Sequence, residues 1–317
     1  MASIPKLVIL LLCTCLHTLV AHEGYDLRTY KVLHAGSLKS AAVNCSQPKV
    51  TPSSGGVTVP LHHRHGPCSP SPVPSTKAPT LEEMLRRDQL RAAYIRRNQS
   101  ESGSLLEDQT DGLMGLGGGA QSLATQTAGT FGKAFSYCLP PTPDSSGFLT
   151  LGAATSGFSK TQMLRSSQVP SYYGVLLEAI RVGGRQLNIP ASVFSGRSIM
   201  DSGTIITRLP ATAYSALSSA FKAGMKQYPP AQPMGIFDTC FDFSGQSTIN
   251  IPSVALVFSG EVVVDLATDG IILDSCLAFA ANSDDSSLGI IGNVQQRTIE
   301  VLYDVGGGAV GFKAGAC

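Results

Sequence analysis

Asp201-Ser202-Gly203-Thr204 is the segment of this 317-residue chain whose residue types and spacing could do chemistry. Ser198-Ile199-Met200 leads into it, and Ile205-Ile206-Thr207 follows it. Gly203 permits a tight turn that holds Asp201 at its tip. Ser202, Thr204 and the backbone N–H groups of the turn could donate hydrogen bonds to the carboxylate, and such donors favour its ionised form. Asp-Ser-Gly alone is a common surface turn, but a purely solvated turn does not need apolar residues on both sides. The histidines narrow the chemistry further. All six (His17, His22, His34, His62, His63, His65) lie before residue 66. A Ser-His-Asp or Cys-His centre needs an imidazole to move protons near neutral pH, and zinc catalysis usually needs a His ligand. If the front of the chain is removed, the remaining body can use neither, and its acid–base groups are chiefly carboxylates.

Composition sets the frame for that carboxylate. Charged residues make up 14% and hydrophobic residues 43%, with 33 Gly and 19 Pro, which excludes a disordered chain and implies a packed core. The length suits one large domain or two ordinary ones. A net charge of +1 gives no reason to propose a nucleic-acid partner. Residues 1–110 carry 12 Lys/Arg against 8 Asp/Glu, and residues 111–317 carry 11 against 14, so a mildly basic front joins a mildly acidic body.

The front has the marks of export. Lys6 precedes the short apolar run 7–13, as in a secretory signal, with Ala21 as the last residue before cleavage. No other stretch is long and apolar enough to span a membrane. Cys13 and Cys15 fall in the signal, and Cys45 and Cys68 in the basic front. Cys138, Cys240, Cys276 and Cys317 fall in the body. Four cysteines allow three pairings, and spacing does not choose among them. No C-x-x-C exists, which argues against a redox or zinc motif, and no metal or cofactor is expected. Asn44-Cys45-Ser46 and Asn98-Gln99-Ser100 match the N-glycosylation pattern.

Residues 46–79, rich in Pro and Ser, read as an extended linker. Residues 80–94 read as a helix, with Thr80 and Glu83 forming a capping box and Leu81, Met84 and Leu85 sharing a face. Its basic residues could cover an acidic cleft, or they could simply form a solvated face. From residue 111 the chain turns to short apolar runs between Gly, Pro, Ser and Asn. Strands are expected over 147–152, 173–182, 253–258, 261–264 and 298–304, with turns at Gly183-Gly184 and Ser259-Gly260. One good helix follows Pro210, with Tyr214, Leu217, Phe221 and Met225 at helical spacing. The class is mainly β with one or two helices.

Residues 111–117 (Asp-Gly-Leu-Met-Gly-Leu-Gly) and 288–293 (Leu-Gly-Ile-Ile-Gly-Asn) each place two apolar residues before a Gly. Together with the Asp201 turn, this pattern resembles the pepsin-type aspartic proteases. Those enzymes have two related β lobes, each giving one Asp-Thr/Ser-Gly turn and one apolar-apolar-Gly segment that crosses beside it. The nepenthesin-like plant branch is the nearest resemblance. His63-Arg64-His65-Gly66-Pro67-Cys68-Ser69-Pro70 is similar to its propeptide, and Phe135-Ser136-Tyr137-Cys138-Leu139, Asp238-Thr239-Cys240-Phe241 and residues 289–296 are similar to its body. The resemblance implies a pepsin-like acid-protease fold and an aspartic endopeptidase in the secretory pathway, extracellular (apoplast) or vacuolar. It implies a polypeptide substrate and no membrane contact after signal removal. It gives the catalytic role to Asp201, the supporting turn to Ser202, Gly203 and Thr204, and the crossing segment to Ile290, Ile291 and Gly292. It implies disulfides joining Cys240 to Cys276 and Cys138 to Cys317.

The sequence departs from that pattern at one join. Residues 98–110 run from the propeptide-like helix almost directly into Asp111-Gly112, which matches a crossing segment and not a catalytic turn. No second Asp-Thr/Ser-Gly-Thr/Ser exists. The implied organisation is a signal peptide (1–21), a propeptide-like segment (22–110), a remnant of the N-terminal lobe (111–152) and a complete C-terminal lobe (153–317). Aspartic proteolysis needs two carboxylates sharing a proton around a water, one to activate the water and one to polarise the carbonyl. A lone Asp201 implies an impaired or inactive chain. The alternatives are a non-catalytic binding or inhibitor-like protein, as in plant relatives that inhibit glycosidases, a truncated gene product, or an enzyme formed when two chains associate and each supplies one Asp201. Separately, the apolar surface left by the truncated lobe implies self-association through it.

Overall fold

The structure is a computed structural model. It describes residues 56–63, 66, 68–69, 79–96, 114–140, 145–167, 170–246 and 249–315. The signal segment, both glycosylation triplets, the join at 98–110, Asp111-Gly112-Leu113 and Cys317 lie outside the described residues. No described helix is long and apolar enough to cross a membrane.

Of the four sheets among the described residues, three larger ones carry the fold. A six-stranded sheet runs in the order Val57–His62, Ser146–Leu151, Ala134–Cys138, Ile299–Asp304, Ala309–Ala314, Ser159–Gln162. It interleaves the front, the expected lobe remnant and the C-terminal strands, so the remnant is built into the same sheet as the end of the chain. Phe135 stacks on Tyr303 with ring centroids 4.6 Å apart, and Phe258 on Phe312 at 5.0 Å. The four-stranded sheet Val262–Asp265, Val254–Phe258, Leu177–Val182, Arg185–Gln186 contributes Ile180, Leu256 and Phe258 to the same apolar core. Gly183 and Gly184 join its last two strands with φ of 56° and 76°, the left-handed pair that a two-residue hairpin needs.

The long helix forms where the spacing expects it. It spans Ala211–Gly224 and buries Ala213, Tyr214, Leu217 and Phe221 on one side. Pro210 precedes it without a side-chain cap. The exposed N-terminus is served instead by Asp285, which accepts from the Thr212 amide (2.7 Å) and hydroxyl (2.6 Å), as suits the positive end of a helix.

Two expectations need correction, and a third observation stands beside them. Within the expected linker 46–79, Val57–His62 is a sheet strand paired along its length with Ser146–Leu151. Thr58 and Thr150 share a hydroxyl hydrogen bond of 2.8 Å. Pro60 is tolerated because this strand lies at the sheet edge. The run 173–182 is two strands, since Gly174–Val175 belongs to the third sheet and Leu177–Val182 to the second. The described part of the first crossing-like segment, Met114–Gly117, forms no strand, and Met114 is 60% exposed.

Candidate active site

The third sheet has the order Phe279–Ala281, Thr207–Leu209, Gly289–Ile291, Ser198–Met200, Gly174–Val175. Gly289–Ile291 therefore lies between the two strands that flank the Asp201 turn. It runs parallel to Ser198–Met200 and meets the other strand at Ile290 opposite Arg208. The Asp201 amide donates to the Ile291 carbonyl (3.1 Å), and the amides of Asn293 and Val294 donate to Thr204 (2.7 Å) and Ile205 (3.1 Å). Gly292 lets the two chains approach: a Cβ there would sit 2.6 Å from the Ile205 carbonyl oxygen. Gln295 then locks the crossing. Its Oε1 accepts from the Thr207 hydroxyl (2.6 Å) and its Nε2 donates to Gly270 and Ala278 (2.8 Å each). Gln296 donates to the Ile291 carbonyl (2.8 Å) and accepts from the Tyr137 hydroxyl, which ties the crossing to the first sheet.

The turn holds its carboxylate much as its composition suggests. The Gly203 amide donates to Asp201 Oδ1 (3.2 Å) and the Thr204 hydroxyl to Oδ2 (2.5 Å). Ser202 takes part through its carbonyl, which accepts from Asn293 Nδ2 (3.2 Å).

The group that dominates the site comes from 110 residues upstream. The expected front helix spans Leu81–Arg96, opened by the Thr80–Glu83 capping box: the Thr80 amide donates to the Glu83 carboxylate (2.8 Å) and the Glu83 amide to the Thr80 hydroxyl (3.2 Å). Its buried face is Leu85, Asp88, Ala92 and Ile95, and Leu81 and Met84 are only half-buried. Leu85 packs with Ile206, Phe237 and Val294, while Ala92 and Ile95 pack with Ile199 and Ile290. Full burial of Leu85 and Ile95 contributes about 1.5–3 kcal/mol each. Between these apolar contacts, Arg91 lies over the turn. Its Nε and Nη2 donate to Asp201 Oδ2 (2.9 Å) and Oδ1 (2.8 Å), a two-pronged ion pair. Burial pushes the Asp201 carboxyl up, but Arg91, Thr204 and Gly203 outweigh it and hold the carboxyl below its ordinary value.

One turn earlier on the helix, Asp88 makes a second, deeper ion pair. Arg208 Nη2 donates to its Oδ2 at 2.6 Å, and the Ile205 amide donates to its Oδ1. The Asp88 side chain is fully enclosed and that of Arg208 is 5% exposed. Here burial prevails over Arg208 and the Ile205 amide, and the Asp88 carboxyl sits above its ordinary value. Sequence reasoning named neither Asp88, Arg91 nor Arg208. The basic character of the helix was the available signal, and it did not single out one arginine.

Cys240 and Cys276 are joined by a disulfide, next to the cluster that receives Leu85. Cys138 and Cys68 are also disulfide-bonded. Among the described residues no three His, Cys, Asp or Glu side chains are grouped to hold a metal ion.

A buried strand entering an Asp-Ser-Gly-Thr turn, with an Ile-Ile-Gly strand threaded beside it, defines a lobe of the pepsin-like acid-protease fold. Solved structures with this architecture include soybean basic 7S globulin (TM-score 0.54, 24% identity, covering 66% of this chain and 58% of that one) and lupine conglutin gamma (TM-score 0.56, 22% identity, 68% and 59%). Family models described as xylanase inhibitor N-terminal and xylanase inhibitor C-terminal match residues 31–153 and 172–314. The chain is 50% identical over 216 residues to an aspartyl protease family protein of Arabidopsis thaliana (65% of this chain, 45% of the relative). It is 43% identical over 244 residues to the Arabidopsis aspartyl protease AED1 (74% and 51%) and 36% identical over 223 residues to nepenthesin-2 of Nepenthes gracilis (65% and 50%). The chain belongs to the plant pepsin-type aspartic protease family. It spans about half the length of the curated relatives it matches.

Proposed function

We propose that this chain carries one half of an aspartic endopeptidase centre and, as a monomer, does not cleave peptide bonds. The observation that carries the reading is the Arg91–Asp201 pair. Among the described residues, Asp201 has an arginine, not a second carboxylate, across from it. A dyad works because two like charges push their pKa values apart, so that one group is an acid and the other a base. A guanidinium does the reverse: it holds Asp201 ionised and offers no proton at any pH where the fold persists. Arg91 of the front helix also takes up hydrogen-bonding positions on both Asp201 oxygens, which a water held by that carboxylate would have to share.

Polypeptide is the partner class this reading favours, and the secretory pathway, apoplast or vacuole, is the location it carries. Restoring a dyad by self-association would require the front helix of each copy to leave, exposing Leu85, Ala92 and Ile95 together with their receiving surfaces. A second reading is a non-catalytic binding protein. The family models named for xylanase inhibitors favour it, as does a carboxylate already paired with the protein's own Arg91.

The test compares the wild-type chain with Asp201→Asn on an unfolded protein substrate at acidic pH, with and without pepstatin. The expected result is equal, background-level cleavage. Pepstatin-sensitive cleavage that disappears in Asp201→Asn, and rises with the square of protein concentration, would establish a dimeric enzyme instead.

A further inference from the structure

The face beneath the front helix carries a fixed charge pattern that the Asp201 centre does not use. Arg208 lies on the strand Thr207–Leu209 in the interior of the third sheet, with its backbone set by Ala280 on one side and Ile290 on the other. It is a buried cation of the lobe itself, and the partner it has comes from the front helix 120 residues away. Its Nε finds no hydrogen-bond partner among the described residues. The Ile205 amide points at the same carboxylate. A buried guanidinium and a half-buried N–H aimed at one carboxylate favour an anion there, because a group left bare beneath a docked segment loses its hydration without replacement. Asp88 and Arg91 are three apart, neighbours on one helix face. The helix therefore presents a carboxylate and then a guanidinium, and the lobe presents Arg208 and then Asp201 in complementary order.

We infer that Arg208 and the Ile205 amide form a carboxylate-binding site for an acidic side chain of a polypeptide docked over Asp201, a site that Asp88 fills in the present state. Any segment that displaces the front helix must bring its own Asp or Glu to this position or leave Arg208 unpaired. An acidic residue beside the Asp201 centre is thus the selection this face makes on its partners. The inference rests on the reading that the face receives a polypeptide, and it does not require that the polypeptide be cleaved.

Two measurements on the full-length chain test it. In Asp88→Ala the missing group is a bare carboxylate, the size of formate. Formate should raise the Tm of this variant in a saturable way, above a chloride control of equal ionic strength, with no such rise in wild type or in Asp88→Ala/Arg208→Met. If Asp88→Ala is recovered only as insoluble chain, the same comparison is made on refolding yield with and without formate. Second, a labelled peptide of residues 79–97 should bind Asp88→Ala/Arg91→Ala, whose own helix is loosened, at least tenfold more tightly than its twin carrying Asn in place of Asp88. Formate rescue that persists without Arg208, absence of rescue, or equal binding of the two peptides would overturn the site. A cleavage assay in either direction bears on the Asp201 centre and leaves these results unchanged.

Discussion

Replacing Arg91 by Met isolates the contact on which the reading of the centre depends. Met keeps the length of the side chain and some of its packing and removes the charge and both hydrogen bonds. The side chains of Arg91 and Asp201 are 27% and 12% exposed, so the pair is neither a surface bridge, worth about 0–1 kcal/mol, nor a fully enclosed one, whose breaking costs about 3–5 kcal/mol. A loss of about 2–3 kcal/mol at neutral pH is expected, which for a domain of this size corresponds to a Tm drop of about 4–12 °C. The pH dependence is the sharper readout. In the wild type the Asp201 carboxyl lies below 3.8, so its contribution is fully present above that pH and is lost as the pH falls through the folded-state value. In Arg91→Met burial is opposed only by Thr204 and Gly203, and the carboxyl rises. Ionised Asp201 then becomes a penalty that protonation relieves. The gap in Tm between the two proteins should be full at pH 7, begin to close above pH 3.8 as the pH falls through the raised value of the variant, and be gone once the pH passes below the depressed value of the wild type. Thermal denaturation followed by circular dichroism from pH 7 to pH 3 measures it. A gap that does not change with pH, or no gap at all, would refute the argument and assign helix docking to Leu85, Ala92 and Ile95 alone.

Three further outcomes follow from the same geometry. Gly203→Ala puts a methyl group 2.5 Å from the Arg91 guanidinium carbon; it should destabilise the wild type measurably and cost much less in an Arg91→Ala background, a non-additivity that a double-mutant cycle reads directly. Gly292→Ala places its Cβ within 2.8 Å of the backbone at Ile205, Ile206 and Thr207, none of which can rotate away, so the variant should be recovered as insoluble protein; soluble chain with wild-type Tm would contradict the threaded crossing. Replacing both Cys240 and Cys276 by Ser opens a loop with a sequence separation of 36, and loop-closure entropy alone predicts a loss of about 4 kcal/mol in chemical denaturation.

Much of the local structure is legible in the chain because it depends on neighbours in sequence. The capping box at Thr80 and Glu83, the period of Tyr214, Leu217 and Phe221, and the left-handed turn at Gly183-Gly184 each need only a few consecutive residues and the geometry of one element. The Asp201 turn is legible for the same reason: Gly203 and Thr204 act on a carboxylate two and three residues away. The strand Val57–His62 was hidden because its flanks are Pro- and Ser-rich, and its pairing with Ser146–Leu151 is a long-range event that no local pattern announces.

Tertiary structure decided what faces the carboxylate. In sequence, Asp88 sits among Arg86, Arg87 and Arg91 and looks like part of a solvated charged face. In the fold, that helix lies with Leu85, Ala92 and Ile95 against the lobe, and the same rotation carries Asp88 to Arg208 and Arg91 to Asp201. Helical periodicity can show which residues share a face, but which face is buried, and against what, depends on the surface that receives it. The chain by itself thus determined the type of the reactive group and the turn that supports it. Only the packing of a helix across 110 residues of intervening sequence decided that the group is an ion-paired carboxylate and not a free one, because charge partners are chosen by proximity in space.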